Sequence, residues 1–179
     1  MVYKKNNDKI ISENSPLDLK SKYSLSKINM EKKLKKLQKK SNDLDITILR
    51  LSGVLGYNSH SNFISSLRKI FKFNKIKVIK IFNSKKLYNS CIHVSDLYKI
   101  ITKILKTNLK NNYLILNIFS KQPLTWKNIF SMFKNYFKSK IIVKESKQKK
   151  ISYLLSSINL KKIDIKLPSM KTTISKYLS

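Results

Sequence analysis

The sequence predicts an α/β fold with parallel strands, and two observations predict it. Short apolar strands alternate with segments whose apolar residues recur at helical spacing, from residue 23 to the end of the chain. The segment 44–51 is also a nearly continuous apolar run, a pattern typical of a buried parallel strand. At 179 residues, the chain is long enough to form one domain with a hydrophobic core.

The first part of the chain is predicted to contain a loop, a helix and this apolar strand. Residues 1–22 are polar and are expected to form loop structure. A helix is expected over residues 23–40, because Met30, Leu34 and Leu37 fall on one face while lysines fill the rest. The apolar strand follows the helix and ends in a turn of small residues.

The next elements continue the alternation. Apolar residues at helical spacing over 63–71 predict a second helix, with Ser61 or Asn62 as its N-cap. Residues 76–82 alternate lysine with apolar side chains, as a half-buried strand does. Residues 91–94 predict another short strand.

His93 and Asp96 lie where this strand is expected to pass into a helix. The pair invites interpretation as metal ligands or as a charge relay, but no third ligand is near in sequence and His60 is the only other histidine. We therefore expect His93 to be a strand residue, and Ser95 or Asp96 to cap the following helix. No metal site is predicted.

The last third of the chain is predicted to contain two strands and three helices. The strands cover 113–119 and 141–143, and Thr125 caps the helix between them. Residues 151–179 are expected to form two short helices. The aromatic residues after Thr125 have helical spacing, which predicts core packing rather than a platform that stacks nucleic-acid bases. They are Trp126, Phe130 and Phe133.

The net charge of +30 suggests a nucleic-acid binder, but the composition favours another explanation. The chain has no alanine, few glycines and prolines, and only two arginines among its 39 basic residues. This bias follows codon usage in an AT-rich genome, which enriches lysine without any ligand. Proteins that read nucleic acid rely on arginine for forked contacts. A small lysine-rich protein that binds RNA or another polyanion is the alternative.

The single cysteine, Cys91, excludes an internal disulfide and a cysteine-based zinc site. The amino terminus lacks the apolar run of a signal peptide, and no segment approaches the roughly 20 apolar residues of a membrane span. We therefore expect a soluble cytoplasmic protein that makes no membrane contact.

Tyr23 and Lys27 are the candidate catalytic pair. Four residues apart, they share one face of the predicted helix. An ammonium held near a phenol favours the deprotonated form, which suits proton transfer near neutral pH. Tyr136 and Lys140 have the same spacing but lie near a predicted helix end. The alternative for Tyr23 and Lys27 is a solvated helix terminus with no chemical role.

The surroundings of this pair resemble those in a known enzyme family. In the order found here, these segments resemble the second half of the extended short-chain dehydrogenase/reductases, the NAD(P)-dependent nucleotide-sugar epimerases and dehydratases. The segments that carry the resemblance are Glu13 with Pro16, Tyr23-Ser24-Leu25-Ser26-Lys27 with Glu31, Leu49-Arg50-Leu51, Ile92-His93-Val94-Ser95-Asp96-Leu97, Ile115-Leu116-Asn117-Ile118 and Leu167-Pro168.

The resemblance implies an incomplete Rossmann-type parallel sheet with a smaller C-terminal substrate-binding α/β part. Residues 1–56 would be a remnant of the NAD(P)-binding domain that carries the Tyr-x-x-x-Lys helix. Residues 57–179 would mainly bind substrate, with 91–119 returning to the main sheet. In the family, the tyrosine takes a sugar hydroxyl proton while a hydride passes to the cofactor, and the keto-sugar is then rotated or dehydrated and reduced again.

Two parts of the family pattern are absent from this sequence. The only glycines, Gly53 and Gly56, come after the Tyr/Lys pair, whereas the family's Gly-rich phosphate loop comes before it. The catalytic Ser or Thr would fall just before Met1. The sequence therefore predicts the carboxyl half of an enzyme, either completed by a separate N-terminal half or inactive, and a homodimer is an alternative assembly. The apolar strand is then expected to have an exposed edge.

The resemblance also assigns the site residues that bind the cofactor. Tyr23 and Lys27 would be the catalytic pair, and both would contact NAD or NADP, with Lys27 holding the nicotinamide ribose. Ser52 sits where the family often lines the nicotinamide. The alternative for Ser52 is a turn residue at the end of the strand.

Three residues are candidates for binding the nucleotide-sugar substrate: Gly53, Asn62 and Asn89. Gly53 stands where many relatives carry an asparagine that contacts the sugar. Asn89 stands where relatives usually carry an arginine for the nucleotide diphosphate. Lys85 or Lys86 beside it would be point-charge substitutes, or simply solvated lysines.

Overall fold

The chain forms the predicted α/β fold in a computed structural model that describes residues 2–4, 9–41, 44–60, 63–73, 77–107, 113–146, 148 and 151–179. Helices and strands alternate because each helix must bury an apolar face against strands. Within the described residues, the helices are α1 Lys22–Lys40, α2 Phe63–Phe73, α3 Val94–Lys106, α4 Trp126–Tyr136, α5 Met170–Leu178 and a 3₁₀ turn at Leu160–Ile163. None of these helices is long and apolar enough to cross a membrane.

The strands pair mainly in parallel, as the apolar runs predict. The strands are β1 Lys9–Ile11, β2 Ile46–Leu51, β3 Gly53–Leu55, β4 Val78–Ile81, β5 Leu87–Tyr88, β6 Cys91–His93, β7 Tyr113–Ile118, β8 Leu124–Thr125, β9 Ile142–Glu145 and β10 Tyr153–Leu155. The pairs β1–β10, β2–β7, β3–β6 and β4–β9 are parallel, and β5–β8 is antiparallel.

The pair β2–β7 is the longest and lies beside the site described below. Its register runs from Ile46 opposite Tyr113 to Leu51 opposite Ile118. The predicted parallel strand is confirmed, but β2 is only half-buried, and Leu51 is 46% exposed. The reason is that, in the described part of the chain, β7 alone pairs with β2 and its other edge is open.

Two hydrophobic clusters hold the elements together. The first lies around β6, β7 and α3, and the second joins α2, α4 and α5. In the second cluster Phe130 and Phe133 are buried, and the ring of Trp126 packs 4.3 Å from that of Tyr88. The core role predicted for these aromatic residues is confirmed.

The predicted apolar face of α1 is largely uncovered. Met30 and Leu37 are each exposed, and the buried residues of α1 are Ser24 and Ile28. The helix that the hydrophobic period predicts is confirmed. The period does not show which elements pack on this face, and the described residues leave Met30 and Leu37 exposed.

The structure of the two ends of the chain differs from the prediction. Residues 1–22 are more than a loop, because β1 pairs with β10 and both Val2 and Tyr3 are buried. Residues 151–179 hold a strand and a 3₁₀ turn before α5, not two helices. Each of these strands is three residues long and exists only through its distant partner, so neither has a local signal.

The start of α3 also differs from the prediction that Ser95 or Asp96 caps it. His93 is the N-cap, and its Nδ1 accepts a hydrogen bond from the Ser95 backbone N–H at 3.3 Å. Asp96 instead lies in the first helical turn and forms an ion pair with Lys176 of α5. An aspartate inside the first turn also suits the positive end of the helix dipole.

This cap predicts a pH-dependent stability. Burial, the largest cause, lowers the pKa of His93 below its usual 6.5, while Asp96 raises it and Lys176 lowers it. The contribution of neutral His93 is therefore complete above pH 6.5 and is lost as the pH falls through the lowered pKa. In chemical unfolding at pH 7.5 and pH 5, His93→Asn, a cap that does not titrate, should lose less stability on acidification than the wild type. The control His60→Asn should behave as the wild type, and equal losses in all three proteins would contradict the prediction.

Candidate functional site

A cleft of about 560 Å³ lies between α1 and the strands. One wall is α1, with Tyr23, Lys27 and Glu31 along it. The floor is formed by β2 and the residues that follow it. The opposite side is formed by Val2, Tyr3, Ser90, Asn117, Tyr153 and Leu155.

Tyr23 and Lys27 both line the cleft. The helix begins just before them, because the Ser21 side chain caps it by accepting a hydrogen bond from the Ser24 N–H. Tyr23 is 58% exposed, and the Lys27 Nζ lies 5.8 Å from the centre of its ring. The second Tyr-x-x-x-Lys does not form such a pair, because α4 ends at Tyr136, before Lys140.

Ser52 and Gly53 also line the cleft, directly after β2. Their backbones are held from two sides: the Ser52 N–H donates to Ile118 O at 3.0 Å, and the Gly53 N–H donates to Ser90 O at 3.1 Å. Ser52 Oγ is buried and has no hydrogen-bond partner among the described residues. A buried hydroxyl without a partner at the edge of a cleft suits a polar ligand atom.

Asn89 does not reach the cleft. It is 3% exposed, and its side chain donates to Leu155 O at 2.7 Å and accepts from the Leu155 N–H at 2.9 Å. It therefore holds β10, whose Leu155 is part of the cleft wall. Lys85 and Lys86 beside it are exposed, and Asn62 lies outside the described residues.

Sequence reasoning missed a charged group at the centre of the cleft. Arg50 makes a two-pronged ion pair with Glu31, with Nε to Oε1 at 3.0 Å and Nη2 to Oε2 at 2.6 Å. These side chains are only 8% and 13% exposed. Two signals pointed to the pair: Glu31 follows Lys27 by one helical turn, and arginine is rare in this chain.

The Arg50 guanidinium also reaches Tyr3 and Glu13. Its Nη1 donates to Tyr3 Oη at 2.7 Å and to the Glu13 backbone O at 3.2 Å. Burial raises the pKa of Tyr3, outweighing the hydrogen bonds of Arg50 and Asn117 that lower it. The phenol therefore keeps its proton and donates it to Asn117 Oδ1 at 2.6 Å. Burial alone would lower the pKa of Arg50, but its bonds to Glu31 and Tyr3 raise it, so the guanidinium stays charged.

Comparison with known proteins identifies the family of the chain. The model of the NAD dependent epimerase/dehydratase family matches residues 1–118. No curated protein sequence matches the chain.

Three solved structures share the fold. UDP-glucuronic acid 4-epimerase from Bacillus cereus in complex with NAD has a TM-score of 0.78 at 17% sequence identity. UDP-N-acetylglucosamine 4-epimerase from Methanobrevibacter ruminantium M1 in complex with UDP-N-acetylmuramic acid has a TM-score of 0.78 at 20% identity. UDP-glucose-4-epimerase from Stenotrophomonas maltophila with bound NAD and formylated UDP-arabinopyranose has a TM-score of 0.71 at 15% identity. Each aligns with 99% of this chain, which covers only 58%, 58% and 60% of their respective lengths.

At these identities the structures show the fold alone, whereas the family match spans well over half of the sequence. The Tyr-x-x-x-Lys helix and both strands of the β2–β7 pair lie within the matched residues. The chain belongs to the NAD dependent epimerase/dehydratase family.

Proposed function

We propose that this chain is the carboxyl-terminal part of an NAD(P)-dependent enzyme that epimerises or dehydrates a nucleotide sugar. One observation carries the proposal: a single cleft unites Tyr23 and Lys27 of α1 with Ser52 and Gly53 at the end of β2. The proposal is also supported by the structural neighbours, which include UDP-sugar 4-epimerases.

Tyr23 and Lys27 would carry the proton chemistry. The exposed phenol of Tyr23 would exchange a proton with a sugar hydroxyl, and the Lys27 ammonium lies over its ring. When bound, NAD(P) supplies the hydride acceptor and donor of the reaction. Both side chains project from α1, and the helix fixes their spacing.

The cleft fits the nicotinamide-ribose half of the cofactor. Lys27 offers three donors to ribose hydroxyls, and the unpartnered Ser52 hydroxyl suits the carboxamide. Gly56 does not act as a phosphate-loop glycine for the pyrophosphate half, because it packs against α3. A Cβ built on it would lie 2.9 Å from Val94 Cγ1. This glycine serves helix packing.

The cofactor-binding and substrate-binding parts follow one another along the chain. Residues 1–56 belong to the cofactor-binding domain and 57–179 mainly to the substrate-binding part. The segment 91–119 returns to the main sheet, which the parallel pairing of β7 with β2 supports. Gly53 and Asn62 are proposed sugar contacts, and Asn89 serves the substrate through the position of Leu155.

The open edge of β2 is the proposed docking site for the amino-terminal part of the enzyme. Parallel strands are normally covered on both faces and paired at both edges. On the side of α3, a groove of about 350 Å³ runs beside this edge, and the exposed Leu105 and half-exposed Ile101 line it with Leu49. A parallel strand with apolar side chains on both faces would pair with β2 and fill this groove.

A half-cofactor experiment tests the proposed function on this chain alone. Nicotinamide mononucleotide, titrated into ¹⁵N-labelled protein at millimolar concentration, should shift the amide signals of Tyr23, Lys27, Ser52 and Gly53. AMP carries a similar phosphate and is the matched control for attraction to a chain of charge +30.

The two ligands separate the site from the charge. AMP should shift exposed lysine-rich segments and leave Ser52 and Gly53 unchanged. Identical shifts with both ligands, or no shift at Ser52 and Gly53, would contradict the proposal. Preferential binding of structured RNA over other polyanions would favour the alternative function.

A further inference from the structure

We propose that Arg50 is a positioning residue that braces the two sides of the cleft and thereby sets the place of Tyr23 and Lys27. The proposal rests on the proposed function for its kinetic consequence, while its structural consequence is measurable on this chain alone. The Arg50 brace consists of Tyr3, Glu13, Glu31, Arg50 and Asn117.

The first arm of the brace holds α1. Tyr23, Lys27 and Glu31 follow one another at intervals of four residues and all line the cleft. Glu31 accepts two hydrogen bonds from Arg50, one on each carboxylate oxygen. A planar fork on a planar carboxylate sets direction as well as distance. The rotation of α1 about its axis is therefore tied to β2, and the side chains one and two turns earlier turn with it.

The second arm holds the opposite side. Arg50 donates to the Glu13 backbone O, and the Glu13 carboxylate accepts from the Asn117 N–H at 2.8 Å, the Ile158 N–H at 3.0 Å and the Ser157 hydroxyl. These contacts place the residues directly after β10, whose Tyr153 and Leu155 line the cleft.

Tyr3 closes the brace over β7. The centre of its ring lies 4.9 Å from the Arg50 guanidinium, and its hydroxyl donates a hydrogen bond to Asn117 Oδ1. Asn117 is opposite Arg50 in the β2–β7 register. Asn117 Nδ2 donates in turn to Ser156 O at 2.9 Å. One side chain on the cleft floor thus connects α1, β7 and the segment after β10.

The composition supports a role that lysine cannot fill. Lysine accounts for 37 of the 39 basic residues, which leaves two arginines, Arg50 and Arg68. Both arginines stack on a tyrosine and fork to two acceptors; Arg68 does so at Tyr177 and the last turn of α5. An ammonium is a point charge without the fork. Arg68 lies outside the cleft lining, so it is a matched control.

The test uses the tyrosine ring signals of the full chain labelled with ¹³C at Cε, with Tyr23 assigned by its absence in Tyr23→Phe. Arg50→Lys keeps the charge and loses the fork, and it should shift the Tyr23 signal and weaken nicotinamide mononucleotide binding several-fold. Arg68→Lys should shift the Tyr177 signal instead and leave Tyr23 unchanged. Tyr98, exposed on α3, should stay constant in both variants.

Several outcomes distinguish a positioning role of Arg50 from a role in the stability of the fold alone. A folded Arg50→Lys with an unmoved Tyr23 signal overturns it, and so does an equal effect of Arg68→Lys on Tyr23. If Arg50→Lys does not fold, Glu31→Gln, which keeps the carbonyl acceptor, replaces it with the same expected shift. In the completed enzyme, Arg50→Lys should lower kcat about 10- to 100-fold and leave KM for the nucleotide sugar nearly unchanged. A shifted Tyr23 signal without any nicotinamide binding in the wild type would retain the brace and reject the proposed function.

Discussion

Replacing Tyr23 with phenylalanine should lower kcat of the completed enzyme by about 10²- to 10⁴-fold, the range that a positioned acid–base group contributes. The substitution removes one hydroxyl and leaves the ring. Because Tyr23 is more than half exposed, the stability of α1 should not change. KM for the nucleotide sugar should stay nearly constant, since the lost interaction acts on the transferring proton.

This measurement needs the amino-terminal part of the enzyme. Under the proposed function, co-expression with a separate amino-terminal part that carries the Gly-rich phosphate loop should yield a complex in which the amides of Ile46–Leu51 become protected from hydrogen exchange, because the open edge of β2 is paired. Failure to form a complex would contradict the docking proposal.

The control for Tyr23→Phe is Tyr136→Phe. Tyr136 is about as exposed as Tyr23 and begins the other Tyr-x-x-x-Lys, but it ends α4 and lies outside the cleft lining. This variant should keep the wild-type kcat. A Tyr23→Phe enzyme within twofold of the wild type would remove Tyr23 from the mechanism.

Replacing Asn89 with alanine should destabilise the chain by roughly 2–6 kcal/mol. The substitution leaves the N–H and the C=O of Leu155 buried without their partner, and each such group costs about 1–3 kcal/mol. Chemical denaturation monitored by circular dichroism measures the loss. The expected effect is large because Asn89, in the link between β5 and β6, holds the backbone of β10 from a distant part of the sequence.

Two further asparagine variants serve as comparisons for Asn89→Ala. At neutral pH, Asn89→Asp keeps an acceptor for the Leu155 N–H but places a buried carboxylate oxygen against the Leu155 C=O, so it should destabilise the chain at least as much as Asn89→Ala. Asn135→Ala, on the exposed side of α4, should change stability little. Wild-type stability in Asn89→Ala, together with weakened nucleotide-sugar binding, would make Asn89 a direct substrate contact.

The parts of this protein that the sequence by itself determined have local causes. The helix α1 follows from a hydrophobic period and a serine cap, and the spacing of Tyr23 and Lys27 on it follows from helix geometry. The parallel pairing of β2 follows from its nearly continuous apolar run, which is typical of strands in parallel sheets. The caps are a mixed case, since Thr125 was predicted and His93 was not.

Only the tertiary structure decided which distant residues meet. The strands β1 and β10 are too short to signal themselves and form because their backbones pair across most of the chain. Asn89 reads as a ligand-binding residue by position, yet its amide is used by Leu155. Arg50 has the same local pattern as any strand residue, and its role comes from four hydrogen bonds to three residues on other segments. Local propensity depends on neighbours in sequence, whereas hydrogen-bond partners of buried polar groups are set by neighbours in space.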